Sequence, residues 1–212
     1  MRRLIYIVVA LVMGANILHA QDYEQAFKDV QRSFEQRTLD AHNELKNYQE
    51  AYPYTPYIDE VITMYGVLLC EKGEYQEAIN NLNLVHVSNL SRNLEATYIF
   101  HLGYAYMQVQ EYKKALSQLL KLTDNHNHPY TLQASYYVGY CHYSLKEYGK
   151  ALVEFLELEH IGGYRKIAPY YIVQIHFALA EYEKVLERAG KLLTDYPDNN
   201  YNDELHRMMG EI

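Results

Sequence analysis

The sequence predicts an all-α fold in which antiparallel helix pairs follow one another and stack into an elongated solenoid. Apolar residues recur at three- and four-residue spacing along the 212-residue chain, and clusters of Gly, Asn and Pro interrupt them. No segment alternates apolar and polar residues over the length of a strand. A glycine, an alanine twelve residues later and a large residue four further on recur in three adjacent segments. Such repetition favours one elongated domain, in which each unit buries its apolar face against its neighbours.

The repeated skeleton is clearest in residues 97–122. Gly103 precedes Tyr106 by three residues, and Ala115 and Leu119 follow at the spacing just described. This pattern is that of the tetratricopeptide repeat, and the chain resembles a tetratricopeptide-repeat array. The resemblance implies a right-handed superhelix of helix pairs that binds other proteins or peptides and performs no chemistry.

The resemblance divides the chain after residue 20 into five units and the start of a sixth. Asp29 occupies the glycine position of the first unit, which is therefore expected to be a divergent cap. The glycine and alanine of a unit are expected to face each other where its two helices cross. Val173 and Val185 replace them in the fifth unit and predict a wider crossing there. The units cover about 22–55, 59–92, 96–129, 132–165, 166–199 and 203–212.

The last ten residues restart the pattern, with Met209 and Gly210 at the Leu-Gly positions. Leu205, Met208 and Met209 give this segment an apolar face. A first helix that lacks its second helix is expected to bury such a face only in part. The segment therefore indicates either a truncated further repeat in a protein that continues, or a helix that caps the array.

The first 20 residues have the pattern of a secretory signal peptide. Arg2 and Arg3 precede an apolar run over 4–13, and Ala20 supplies a small residue before a predicted cleavage at Gln21. An uncleaved anchor is the alternative, but the run is short for a span of about 20 residues. An export signal ending in Ala-Gln resembles those of Bacteroidetes-type bacteria. That resemblance implies a periplasmic or outer-membrane-associated location in a Gram-negative bacterium, with no stable membrane span after cleavage.

The composition narrows the class of partner. The formal net charge of −8 becomes −10 when Arg2 and Arg3 are lost with the leader, and no cluster of four or more basic residues is present. This charge argues against a nucleic-acid backbone or an anionic membrane surface as the main partner. Tyrosine is unusually frequent, with 24 residues against five Phe and no Trp. Its apolar ring and polar hydroxyl suit a half-buried surface.

The resemblance also implies where a partner binds, because first helices of successive repeats line the concave face of such arrays. The corresponding positions form an aromatic stripe of the kind that protein interfaces enrich. The alternative is that several of these rings pack between repeats. No basic fork for a C-terminal carboxylate occupies these positions, so a hydrophobic helix or an extended protein segment is the expected partner. The predicted partner-binding residues are Phe100, His101, Tyr104, Met107, Tyr136, Tyr140, Tyr143, Tyr170, Gln174 and Phe177, and Tyr137 and Tyr171 occupy adjacent positions of the same face.

No catalytic residue, cofactor site or metal site is predicted. His126 and His128 are the only closely spaced histidine pair, and with Asp124 they do not match a helical zinc motif. Cys70 and Cys141 fall on first helices two units apart, too far for a disulfide, and are interpreted as small buried hydrophobic residues.

His142 and His176 stand where the repeat usually has tyrosine. They are interpreted as packing residues with one satisfied ring nitrogen.

These observations predict a non-catalytic protein-interaction scaffold in the cell envelope. Two alternatives remain open from the sequence. The chain is either the N-terminal sensory or docking region of a larger membrane signalling protein, or a structural array that assembles with itself.

Overall fold

A computed structural model describes residues 22–123 and 129–212 of the chain. Over these two ranges the chain forms eleven α-helices and no β-strand. The predicted signal peptide and its cleavage site lie outside the described residues, and so does the segment that contains Asp124, His126 and His128. The helices are α1 (22–35), α2 (Ala41–Ala51), α3 (Ile58–Lys72), α4 (Tyr75–Leu82), α5 (Arg92–Gln108), α6 (Tyr112–Thr123), α7 (Thr131–Ser144), α8 (Tyr148–Leu158), α9 (Ile167–Ala178), α10 (Tyr182–Asp195) and α11 (Asn202–Gly210).

The chain divides into two compact units, one that ends at His101 and one that begins at Leu102. In the first unit α2 packs on α3 and α3 on α4, around buried residues such as Leu45 and Leu69. In the second unit each helix from α6 to α11 packs on the next along the chain. Burial of each helix against its chain neighbours is the arrangement that the repeated apolar pattern predicts.

Five helices, α1, α3, α5, α7 and α9, end in the same left-handed turn. The N–H of the turn residue donates to the carbonyl three residues earlier, and the next N–H donates to the carbonyl five residues before it, at 2.9–3.2 Å. This Schellman arrangement satisfies carbonyls that the end of a helix leaves free. The turn residues are Arg37, Gly73, Gln110, Lys146 and Ala180, with φ between +50° and +82°.

The glycines of the repeated skeleton make room for a large side chain of the following helix. A Cβ atom on Gly66 would lie 2.5 Å from Leu82, and one on Gly103 would lie 2.7 Å from Leu119. The sequence had indicated alanine as the partner of each glycine. The structure instead places the large residue, four positions after the alanine, against the glycine. The bulky side chain, lying across the first helix, is what requires the missing Cβ.

The apolar face of α11 is buried more completely than the sequence predicted. Leu205 and Met208 have no exposed surface, and Met209 is partly buried. They pack in one cluster with Val173 and Val185, because α11 lies against both α9 and α10. The expectation that this face would be only partly buried is therefore wrong for Leu205 and Met208.

Both cysteines are buried free thiols, as the sequence indicated. Burial raises the pKa of Cys70 and of Cys141 to about 12, which keeps the thiols protonated and unreactive at neutral pH. None of the helices in residues 22–123 and 129–212 combines the length and apolar character needed to cross a bilayer.

Candidate functional site

The structure distributes the ten predicted partner-binding residues over both units. Phe100 and His101 belong to the first unit, and the other eight belong to the second. Phe100 and Met107 are buried, with 5% and 7% of their surface exposed. His101 Nδ1 contacts the Thr97 carbonyl at 2.8 Å, and burial lowers the pKa of its imidazole. The partly exposed members are Tyr104, Tyr136, Tyr140, Tyr143, Tyr170, Gln174 and Phe177 together with His101.

Seven tyrosines of the second unit form one continuous group, called here the tyrosine cluster. Tyr171 lies at its centre, with its ring centroid 5.4–6.2 Å from those of four neighbours. Tyr171 also stacks on the fully buried Phe155, at 4.8 Å between centroids and 7° between planes. The cluster is therefore anchored on the hydrophobic core while its other rings stay partly exposed. Its members are Tyr104, Tyr136, Tyr137, Tyr140, Tyr143, Tyr170 and Tyr171.

Gln174 holds two hydroxyl groups of the tyrosine cluster in place. Its amide nitrogen donates to the Tyr170 hydroxyl at 2.7 Å, and the Tyr143 hydroxyl donates to its amide oxygen at 3.3 Å. The same nitrogen lies 3.5 Å from a carboxylate oxygen of Glu204, which is itself paired with Arg207. Since these partners belong to three helices, the network orients this end of the cluster.

The tyrosine cluster carries no charge near neutral pH. Burial raises the pKa of Tyr136 to about 12 and also raises the pKa values of Tyr140, Tyr143 and Tyr170. Burial raises the pKa of Tyr171 further still. The hydroxyl groups therefore act as hydrogen-bond donors and acceptors, not as phenolates.

A cleft of about 370 Å³ opens beside the tyrosine cluster, between the α5–α6 turn and α7. Tyr112 contributes to it with its ring edge-on to Tyr140, at 6.2 Å between centroids. The sequence prediction missed the turn residues of this cleft, because the family pattern assigns partner contacts to the helices alone. The cleft, called here the tyrosine cleft, is lined by Met107, Gln108, Gln110, Tyr112, Tyr136, Tyr137 and Tyr140.

A second cleft of about 770 Å³ lies between α8 and α10, and is called here the charged cleft. Arg188 Nη1 donates to Glu159 at 2.9 Å, and Lys184 donates to Glu181 at 3.0 Å. No feature of the sequence pointed to this cleft. Its lining includes Leu152, Leu156, Glu159, His160, Arg165, His176, Lys184, Glu187, Arg188, Lys191 and Asp195.

The two buried histidines at the repeat's tyrosine position each contact a glutamate across the helix-ending turn. His142 Nδ1 lies 2.6 Å from Glu147 and His176 Nδ1 lies 2.5 Å from Glu181. The lysine three residues after each glutamate, and then the histidine, hold the pKa of both carboxyl groups below the usual range. The interpretation as packing residues with one satisfied nitrogen is confirmed.

The described ranges, 22–123 and 129–212, contain no group of three His, Cys, Asp or Glu side chains placed to hold a metal ion. The segment with His126 and His128 is outside these ranges, so the prediction for it stays a prediction.

Comparison with solved structures identifies the fold. A tetratricopeptide repeat protein from Parabacteroides merdae superposes with a TM-score of 0.69 at 21% identity, over 90% of this chain and 74% of that chain. MamA from Desulfovibrio magneticus gives 0.66 at 16% identity, over 84% and 97%. The apo form of RapI gives 0.55 at 16% identity, over 90% and 63%. Sequence comparison matches the chain to no protein-family profile and to no curated protein. The chain thus has the helical solenoid fold of tetratricopeptide-repeat proteins, as its glycine–alanine skeleton predicted.

Proposed function

We propose that the protein is a non-catalytic scaffold that binds a partner protein or peptide segment on the tyrosine cluster. The observation that carries this proposal is the joining of partly exposed, uncharged rings into one group that is anchored on the core. Tyrosine rings add large contact area at a small cost in side-chain entropy, since they have only two rotatable bonds. A group of rings that is already oriented loses less entropy on binding than a mobile surface does.

The fold supports the same proposal, because a solenoid presents a long surface on rigid helices. The charge of −8 disfavours nucleic acid and anionic membrane surfaces as competing partners. Catalysis needs titratable groups within reach of one another in a pocket. The tyrosine cleft offers only Tyr, Gln and Met side chains.

The cell envelope is the proposed place of action, on the strength of the signal-peptide pattern in the first 20 residues. Expression of the tagged full chain in a Gram-negative host, followed by fractionation, tests this. We expect a processed protein in the periplasmic or outer-membrane fraction, and a full-length cytoplasmic protein when Arg2 and Arg3 are both changed to Glu. A cytoplasmic parent protein would contradict the location and leave the binding proposal standing.

Partner capture tests the binding proposal. Residues 21–212, either unchanged or as Tyr104→Ala/Tyr140→Ala, are used to retain proteins from an envelope fraction. The control is Tyr54→Ala/Tyr182→Ala, which removes two tyrosines that are 97% and 47% exposed and lie outside the cluster. Circular dichroism establishes that all three proteins are folded. We expect one defined protein to be retained by the parent and the control and lost by the cluster variant. Equal retention by the cluster variant would overturn the proposal.

A further inference from the structure

We propose that the tyrosine cleft receives an uncharged, extended segment of the partner and holds one aromatic side chain of it. The inference rests on the proposed function, since it specifies the chemistry of the partner at one part of the tyrosine cluster. It is carried by three properties of the cleft wall, namely its charge, its rings and its hydrogen-bonding groups.

The first property is the absence of charge from the wall. None of the seven lining residues in the described chain is Asp, Glu, Lys, Arg or His, although 22% of the sequence is Asp, Glu, Lys or Arg. A charged partner group that entered the cleft would lose water and meet no opposite charge, which is costly. A neutral segment avoids that cost. The wall therefore selects against charge of either sign.

The second property is the geometry of the rings. Tyr136 and Tyr137 lie 5.3 Å apart with planes at 55°, and Tyr112 meets Tyr140 edge-on at 70°. Aromatic pairs prefer such tilted and edge-on arrangements, so a further ring can continue the series. The thioether of Met107 is a suitable neighbour for an aromatic ring. A volume of about 370 Å³ is near the lower end of the range for ligand pockets, which fits one large side chain and its adjoining backbone rather than a helix.

The third property is the polar rim. Gln108 and Gln110 are exposed side chains beside the cleft and carry both donor and acceptor atoms. An extended segment has unsatisfied peptide N–H and C=O groups that these amides can bind, whereas a helix has already paired its own. The rim therefore favours an extended segment over a helical one.

Selection of phage-displayed random peptides on the purified protein tests the first two properties. We expect the enriched peptides to share an aromatic residue within a stretch free of charged side chains. A synthetic peptide of the enriched sequence should lose at least about tenfold in affinity when that aromatic residue is replaced by Ala. Enrichment of a charged motif, or no peptide whose binding depends on Tyr140, would overturn the inference.

A pair of opposite charges at one position gives the sharpest test. Gln108→Glu and Gln108→Lys should each weaken binding of the selected peptide by about tenfold or more, whichever the sign. The matched controls are Gln133→Glu and Gln133→Lys, at an exposed residue of α7 that does not line the cleft, and these should bind normally. Tighter binding by either Gln108 variant would show a charged partner group and overturn the inference.

The same four variants in the capture experiment separate this inference from the proposed function. A captured partner that is lost by Tyr104→Ala/Tyr140→Ala yet retained by both Gln108 variants overturns the inference alone. Retention by all variants overturns the inference and the proposed function together.

Discussion

The two clefts of the second unit handle charge in opposite ways. In the charged cleft, cations and carboxylates stand side by side and several of them pair, as Arg188 does with Glu159. The tyrosine cleft contains neutral side chains only. The larger cleft therefore satisfies many of its own polar groups, whereas the smaller one leaves ring faces and amides for another molecule. Volume alone is a poor guide to which surface binds a partner.

Helix α8 separates the two environments and allows the comparison to be tested. Phe155 is fully buried and stacks under the tyrosine cluster, whereas its neighbour Leu156 lines the charged cleft and is 38% exposed. Phe155→Ala is expected to lower the free energy of unfolding by about 3–5 kcal/mol, because it leaves a cavity beneath Tyr171. Leu156→Ala is expected to cost less than about 1 kcal/mol. Urea denaturation measures both, and equal costs would show that the cluster is not anchored through Phe155.

A buried carboxyl group shows what an unfavourable site for charge costs. Burial, and then the charge of Glu157, raises the pKa of Glu154 to about 6, above the 4.5 of an unperturbed glutamate. Because the folded-state pKa is the higher one, the folded state binds more protons between these values, and stability falls as pH rises from 4.5 to 6. After a discount for partial exposure, Glu154→Gln should gain about 1 kcal/mol at pH 7.5 and almost nothing at pH 4.

Stability curves of parent and variant at the two pH values check this expectation. Glu157→Gln serves as the companion variant, since it should lower the pKa of Glu154 and recover a small part of the same gain. A gain for Glu154→Gln that does not depend on pH would rule out ionisation as its cause.

The helix-ending turns provide the smallest and most discriminating comparison. Gln110 borders the tyrosine cleft and Ala180 ends α9, and both have left-handed backbones, with φ of +64° and +57°. Glycine relieves the strain of that conformation but loses more entropy on folding. Gln110→Gly and Ala180→Gly are therefore each expected to gain about 0.5–1 kcal/mol. Only Gln110→Gly should also weaken binding of the selected peptide, because it removes an amide from the rim.

Thermal denaturation and peptide titration of the same two proteins separate these effects. If both variants bind the peptide equally well, the Gln110 amide makes no contribution to the cleft. A loss of stability in both would show that the turns are not strained at these positions.

Several features of the fold were predictable because they depend on local spacing. The positions of Gly103 and Ala115 indicated a helix pair, and the apolar settings of Cys70 and Cys141 indicated burial. The interpretation of His142 as a packing residue also held, since its partner Glu147 is only five residues away. Each of these conclusions needs only the period of a helix and its immediate neighbours.

Features that depend on how helices meet were not predictable in the same way. The sequence identified a small residue at Gly66, but only packing shows that Leu82 is the side chain that requires it. The burial of Leu205 likewise depends on two helices that converge on α11. Whether the predicted rings bind a partner stays a prediction, although the structure shows that Phe100 and Met107 expose little of their surface.

By itself, the sequence determined the all-α class, the repeated helix pairs and the abundance of tyrosine on their first helices, because periodicity and composition are properties of the chain. The tertiary structure alone decided which tyrosines join into one cluster and that Gln108 and Gln110 border a cleft with them. The physical reason is that side chains from different helices, far apart along the chain, meet only when those helices pack.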